Sequence, residues 1–341
     1  MFLLMPLLLL LRLLLPPAEW HRYELRGKAQ GTSWSVIYYA EDSLVTRLQC
    51  DSILASLDSS LSIYKSHSRI NALNAAEKQF AADRHLSAVL QKGQAIARRT
   101  DGAFDLTILP LITAWGFGAK QHTTPPHPTL IEQLRSCTGY RLLRVKGEKV
   151  RKAKPCLQVD VNGIAQGYSV DVLARFMEAK RVTNYLVEIG GELRVNGRKQ
   201  PSGEPFAIGV ESPEAAESYG APLQRYLRLD SGALTTSGNY RRYYLSGNKA
   251  ITHLLDPRTG FPVQNELVAV TVWAPDAITA DAWDNALMVM GLTKALQAVA
   301  AEKHLAAYFI YKKNDSTVAD TATPNFARLF AGSPTVAQQD K

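Results

Sequence analysis

Cysteine is scarce in this chain: three residues in 341, Cys50, Cys137 and Cys156, with no CxxC spacing among them. That spacing suggests neither a zinc site nor a disulfide framework, and all three read as small core residues. Also missing are a G-x-G-x-x-G opening a helix after a strand and a G-x-x-x-x-G-K-[ST] run, which excludes a Rossmann dinucleotide site and a P-loop. There is no G-x-S-x-G elbow either, so the serine-hydrolase arrangement is out. No repeat or low-complexity linker divides the chain, which reads as one continuous domain with two lobes.

Positive charge exceeds negative, 39 Lys and Arg against 31 Asp and Glu for a net +8. No aromatic-interleaved basic module accompanies it, so nucleic acid is not the expected partner; an anionic ligand or an acidic surface suits the balance better. Long hydrophobic runs are absent but for Met1 to Leu15, broken only by Arg12 and stopped by Pro16-Pro17. That run is shorter than the roughly 20 residues of a membrane span. It fits the apolar part of a secretory signal, although no basic residue precedes it. Residues 1–17 therefore read as a signal peptide or an N-terminal membrane anchor, with no lipoprotein cysteine following.

With 46% hydrophobic and 21% charged residues, the rest has the composition of a globular protein able to bury a core. Gly31 to Tyr39 reads as a first strand. Leu44, Val45, Leu48, Ile53, Leu54, Leu57 and Leu61 recur at three and four and predict a helix over Asp42 to Leu61; His85 to Arg99 predicts a second. Ser, His and Arg between Leu61 and Asn71 read as turn and capping groups. The proline-rich stretch Gln121 to Pro128 reads as a loop whose two histidines have no carboxylate nearby. A short helix follows from Thr129 to Ser136, and two strands bracket a basic cluster over Arg141 to Lys154.

Val159 to Asp171 organises the chain: Leu157 to Val161 reads as a strand that turns through Gly163 into a core-facing helix from Tyr168 to Ala179. Tyr185 to Ile189 is a buried strand ending in Gly190-Gly191-Glu192. Such strand–helix–strand alternation predicts an α/β, mixed α+β fold, with mixed sheets flanked by helices. Strands are expected at Arg225 to Leu229, Ala233 to Thr236, Tyr240 to Leu245 and Val268 to Val272, then a final helix from Thr279 to Met290. The tail after about Leu329 has no pattern.

Two stretches carry chemistry, and each has two readings. Asp281, Asp284 and Asn285 are neighbours on one helix face, where oxygen donors suit Mg²⁺; taken alone, Asp281 and Asp284 read first as an N-terminal capping pair. In His253 to Gly260, Asp-Pro followed by Gly is turn chemistry. His253 with Asp256 is also the pairing of a base with its orienting carboxylate.

Taken in order, Gly31-Thr32, Asp101 to Asp105 with Trp115-Gly116-Phe117-Gly118, Asp160 to Asp171, Gly190-Gly191-Glu192, Thr236-Ser237-Gly238, His253 to Gly260 and Asp281 to Asn285 resemble the FAD:protein FMN transferase (ApbE-type) family. The resemblance covers about Ala29 to Gly291 and implies a transferase domain over residues 22–335. It implies Mg²⁺-dependent cleavage of FAD, with FMN attached to a threonine hydroxyl of an acceptor flavoprotein subunit in a membrane redox complex and AMP released. Hydrolysis of FAD to FMN and AMP, or FAD binding without turnover, are the alternatives. Flavin contacts carried over by motif fall on Gln30, Tyr64, Ala103, Phe104, Asp105, Asp160, Gln166 and Leu255. Metal ligands fall on the Gly163 carbonyl, Asp281, Asp284 and Asn285, with His253 as base and Asp256 as its orienter. Gln30, Gln166 and Asn285 depart from the family's commoner Met, Lys or Glu, and Thr. Family members usually work outside the cytoplasmic membrane, so an exported, periplasmic or membrane-anchored protein is expected.

Overall fold

Two-residue turns set the frame of the fold. Strand β1, His21–Ala29, returns through Gln30 and Gly31, both at positive φ (54° and 76°), into β2, Thr32–Ala40. That geometry matches the right-handed twist of the flanking strands. Lying at an edge, β1 alternates without a clean apolar face, so β2 alone stands out in the sequence. The computed structural model describes residues 19–119, 121–211, 223–239, 243–247, 249–314 and 317–330. The expected signal or anchor at 1–17, part of the strand at 240–245 and the tail beyond 330 lie outside them.

Helix α1, Arg47–Leu61, starts at Thr46 rather than Asp42, because Thr46 and Gln49 form a reciprocal capping box. Helices α2, Arg69–Ala75, and α3, Arg84–Arg99, follow, capped by Ser68 and Asp83, with β3, Gln79–Ala81, between them. Next come the short α4, Leu109–Ala114, and α5, Pro128–Arg135. The basic cluster itself forms the hairpin β4, Leu143–Lys146, and β5, Lys149–Lys152. Lys152 turns inward, only 2% exposed, and its Nζ donates to the Leu73, Asn74 and Ala76 carbonyls at the C-terminus of α2.

Leu157 to Val161 is not a strand. Its backbone groups are met by a side chain: Asn74 donates to the Val159 carbonyl and accepts from its N–H, and Asp160 N–H donates to Leu106. Helix α6, Ala165–Ala179, therefore does not link two strands, and the mixed sheet expected from that alternation does not form. Every recorded pairing is antiparallel, in the order β1-β2-β6-β7-β10-β13-β14-β15. Here β6 is Asn184–Ile189, β7 Glu192–Asn196, β10 Ser231–Gly238 and β13 Leu267–Ala274. Strand β14 is Ala306–Asn314 and β15 Thr317–Ala322.

The sheet is covered on both faces. Trp34, Val36 and Tyr38 of β2 pack with α1, α3, α6 and α7, Ala277–Met290, in the large core. The opposite face meets the ribbon β8, Phe206–Glu211, and β9, Leu223–Leu229, together with Phe326. Helix α7 is not the last: α8, Leu292–Ala300, follows Gly291 directly, and the short α9, Pro324–Ala327, leads into a 3-10 turn, Arg328–Phe330, that closes the described chain. A third, smaller cluster joins Leu111, Trp115, Phe117, Ile131, Ile251 and Leu255 around the hairpin β11, Tyr243–Ser246, and β12, Lys249–Thr252. The cysteines do not all sit in the core. Cys50 is buried, but Cys137 and Cys156 form a disulfide across 19 residues, bridging the end of α5 to the segment leading to Asp160. Spacing alone gave no hint of a pair whose partners meet through the β4–β5 hairpin.

Candidate active site

A cleft of about 640 Å³ opens where the two hairpin tips of the sheet lie side by side. Trp34 of β2 pairs with Ile189 of β6, which sets Gln30-Gly31 beside the Gly190-Gly191 turn; both turns use positive φ. Gln30 holds this backbone without being glycine, a strained choice for a side chain. Its amide donates to Ser169 Oγ at 2.8 Å, tying the turn to α6. Gln166 lines the same end and donates to the Ile189 carbonyl at 2.7 Å.

One wall is built from α7, apolar on almost every side and therefore buried, which carries Asp281 and Asp284 inward at 3% and 1% exposure. Glu192, the first residue of β7, brings a third carboxylate. An oxygen from each lies within 4.8 Å of the others. Burial, with the charge of Asp171 adding, pushes the Asp281 carboxyl up to about 7, while the Gly167 N–H that it accepts at 2.8 Å pulls the other way. Asn285 sits in the middle: Nδ2 donates to the Asp281 carbonyl at 2.9 Å, to Asp284 Oδ1 at 3.0 Å and to the Gly163 carbonyl at 3.5 Å. Its Oδ1 accepts from Ser237 Oγ at 3.4 Å. Asp281 does not cap the helix; Asp276 does, accepting from Thr279 N–H.

The opposite wall holds Ala103, Phe104, Asp105, Asp160 and Leu255, all buried and all lining the cleft. Asp105 Oδ1 accepts from the Thr107 N–H and hydroxyl, and Oδ2 from Tyr140 N–H; burial still raises its carboxyl above the ordinary range. Asp160 Oδ1 accepts Asn162 N–H, closing the turn before Gly163. Tyr64 stands apart, 55% exposed and outside the cleft lining, reached only through Asn162, which donates to its hydroxyl at 3.5 Å.

His253 lines the cleft half-buried, its ring 6.3 Å from that of Phe117, which also packs on Tyr244. The Asp256 carboxylate is engaged by Arg258, accepting from its backbone N–H, Nε and Nη2 at 2.8–2.9 Å. Trp115 Nε1 donates to the Gly260 carbonyl and anchors the turn from below. Glu192 is the member of the carboxylate group that sequence reasoning left without a role. Its signal was its place directly after a paired-glycine turn, on the face of β7 that alternates with buried Leu193 and Val195.

Residues 30–309 match the ApbE family. The chain is similar to the FAD:protein FMN transferase of Escherichia coli K12, 34% identical over 313 residues, 88% of each chain. Similarity to the FAD:protein FMN transferase of Klebsiella pneumoniae is 35% over 318 residues, 90% of this chain and 89% of that one. Among solved structures, the apo flavinyl transferase ApbE of Pseudomonas stutzeri superposes with a TM-score of 0.82 at 33% identity, covering 93% of this chain and 99% of that one. The flavin transferase ApbE from Vibrio cholerae gives 0.80 at 28%, covering 92% and 100%.

Proposed function

The chain belongs to the ApbE family, and from that premise we propose that its cleft binds FAD and transfers the FMN half to a partner protein, releasing AMP. One observation carries the reading: three clustered carboxylates and a half-buried histidine line the same cavity as an apolar wall large enough for part of a flavin nucleotide. The acceptor group is a threonine hydroxyl, and the acceptor a flavoprotein subunit of a membrane redox complex.

The donor set fits a hard divalent cation such as Mg²⁺: oxygen ligands converge in a buried place, and among the described residues that line the cleft there is neither Lys nor Arg. Asp281, Asp284, Glu192 and the Gly163 carbonyl would hold it. Asn285 joins them only with its amide turned over, since Nδ2 rather than Oδ1 now faces Gly163 and Asp284. When bound, the cation offsets negative charge that develops as a pyrophosphate bond breaks.

The chain's own residues do the rest. Phe104 and Leu255 exclude water beside the flavin, and Gln30, Gln166, Asp105 and Asp160 offer it polar contacts along the walls. His253 takes the proton from the acceptor hydroxyl as that oxygen bonds to the FMN phosphorus and the bond to the AMP phosphate breaks. Asp256, committed to Arg258, holds the turn that carries His253 rather than bonding the base itself. Tyr64 meets the nucleotide only at the rim. Export is part of the same reading, supported by the apolar run at the N-terminus and by a disulfide that persists in oxidising compartments. The 1–17 segment is then a signal or an anchor at the outer face of the cytoplasmic membrane.

The test is incubation with FAD and Mg²⁺, with and without a co-expressed acceptor domain followed by mass spectrometry. Transfer requires the acceptor to gain the mass of FMN. AMP released without any acceptor makes the protein an FAD pyrophosphatase, and no AMP under any condition makes it an FAD-binding protein.

A further inference from the structure

Asp171 is fully buried, yet its carboxylate is one of the most heavily bonded groups in the molecule. From α6 it reaches the first turn of α7, where Oδ1 accepts Ala277 N–H at 3.0 Å and Oδ2 accepts Ile278 N–H at 2.9 Å. These are N–H groups that no residue within the helix can satisfy. Oδ1 also accepts Arg194 Nη1 at 2.8 Å, and the other arm of that guanidinium donates to Glu178 at 3.2 Å. Arg194 lies two residues after Glu192 on β7, on the same face of the strand.

The two helices are latched a second time in the opposite sense. Asp281, one turn into α7, accepts Gly167 N–H, and Gly167 is one turn before Asp171 in α6. The backbones meet so closely that a Cβ at Gly167 would lie 2.3 Å from the Ala277 carbonyl oxygen and 2.7 Å from Asp281 Cβ. One carboxylate of each helix therefore grips the backbone of the other. Arg194 joins this pair of helices to β7 by charged bonds to Asp171 and Glu178, and of these two partners Asp171 is the one that also holds the first turn of α7.

We propose that Asp171 is a positioning residue for the reaction: by joining α7 to α6 and, through Arg194, to β7, it fixes Asp281, Asp284 and Glu192 in one constellation. This rests on reading those carboxylates as a divalent-cation site. Asp171 does not touch the cation; it sets where the ligands stand, as outer partners of metal ligands do. Asp276, the side-chain cap of α7, takes the Thr279 N–H, and it is Asp171 that takes the Ala277 and Ile278 N–H groups.

The experiment measures Mn²⁺ binding to the FAD-free full chain by electron paramagnetic resonance, alongside thermal melting, for wild type, Asp281→Ala, Asp171→Asn, Arg194→Met and Arg194→Lys. Asp171→Asn keeps the shape but loses the charge and one acceptor. The expected result is at least tenfold weaker Mn²⁺ binding in Asp171→Asn and Arg194→Met, with Arg194→Lys restoring most of it. Transfer activity should recover at high Mn²⁺, because the damage lies in affinity rather than in the bond-breaking step. Wild-type Mn²⁺ affinity in a cooperatively melting Asp171→Asn protein overturns the proposal. Should Asp171→Asn fail to fold, Arg194→Met decides alone, and unchanged binding there overturns it too. If wild type and Asp281→Ala bind Mn²⁺ equally or not at all, the cation-site reading fails and this proposal with it.

Discussion

The two walls of the cleft are held in different ways. The carboxylate wall is part of the large core: Asp281 and Asp284 ride on a helix buried on nearly every side, and their neighbours are fixed by hydrogen bonds between backbones and buried side chains. The histidine wall hangs on a small separate cluster, in which Phe117, Tyr244 and Trp115 support the segment from His253 to Gly260. Tyr243 and Leu245, on the hairpin that leads into His253, are 52% and 67% exposed. On the proposed reading the carboxylates are ligands for a cation, which need fixed relative positions, and they are set in the large core. On the same reading His253 is a base that must meet a hydroxyl from another protein and so needs access, and it sits where the core is thin.

The comparison is broken most sharply by removing one functional group from each wall. Asp281→Ala should abolish Mg²⁺-dependent transfer and Mn²⁺ binding together; wild-type turnover supported by Mg²⁺ would sink the assignment. His253→Ala should slow transfer by about 10²- to 10⁴-fold, the contribution typical of a general base, while fluorescence titration shows FAD binding almost unchanged. If His253→Ala instead lost FAD affinity and kept its rate, the two walls would share one role and the contrast drawn between them would collapse.

That contrast was partly visible in the sequence. The α+β class, the buried helix with its two aspartates, and the histidine–aspartate turn all follow from periodicity, spacing and motif order. What stayed hidden depended on which side chains pair, near or far along the chain, and spacing alone does not choose between them. Asp276, not Asp281, caps α7, which frees Asp281 for Gly167; helix-face spacing cannot choose between two aspartates five residues apart. Asp256 reads as a partner for His253 because both flank the same turn, but Arg258, only two residues on, reaches its carboxylate on both oxygens. The segment before Asp160 looks like a strand because it is apolar, and only the position of Asn74, 85 residues away, shows why it needs no strand beside it.

A subtler effect is expected at the side of the cleft that holds Asp105 and Asp160. The Cys137–Cys156 disulfide brackets the chain whose Tyr140 N–H holds Asp105, and it ends four residues before Asp160. Closing a loop of this length stabilises by about 3 kcal/mol in the chain-entropy account. The Cys137→Ser, Cys156→Ser double variant should therefore melt in urea at a lower midpoint, with a slope no shallower than wild type because its unfolded chain is less compact, and lose more affinity for FAD than for Mn²⁺. Equal losses for both ligands would mean that the disulfide supports the whole cleft rather than this side of it.

The smallest expected effect tests whether a charge buried away from both walls behaves as a purely structural group. Lys152 is buried against three carbonyls at the end of α2, and desolvation holds its ammonium below the ordinary lysine range. In the folded protein it then gives up its proton at a lower pH than in the unfolded chain. Between those two values the unfolded state binds more protons, so unfolding takes one up and stability contributed by this residue rises with pH. The rise is bounded by about 1.4 kcal/mol per pH unit for one proton, and it is confined to alkaline pH below the ordinary value near 10.5. Lys152→Met removes the titration and also leaves the carbonyls without their donor, so its absolute stability drops. The informative quantity is the difference between wild type and variant in urea melts across that range. It should grow in favour of wild type as the pH climbs toward 10.5; a difference that stays level up to 10.5 and shrinks only above it would mean the ammonium is held by the helix end more tightly than burial disfavours it.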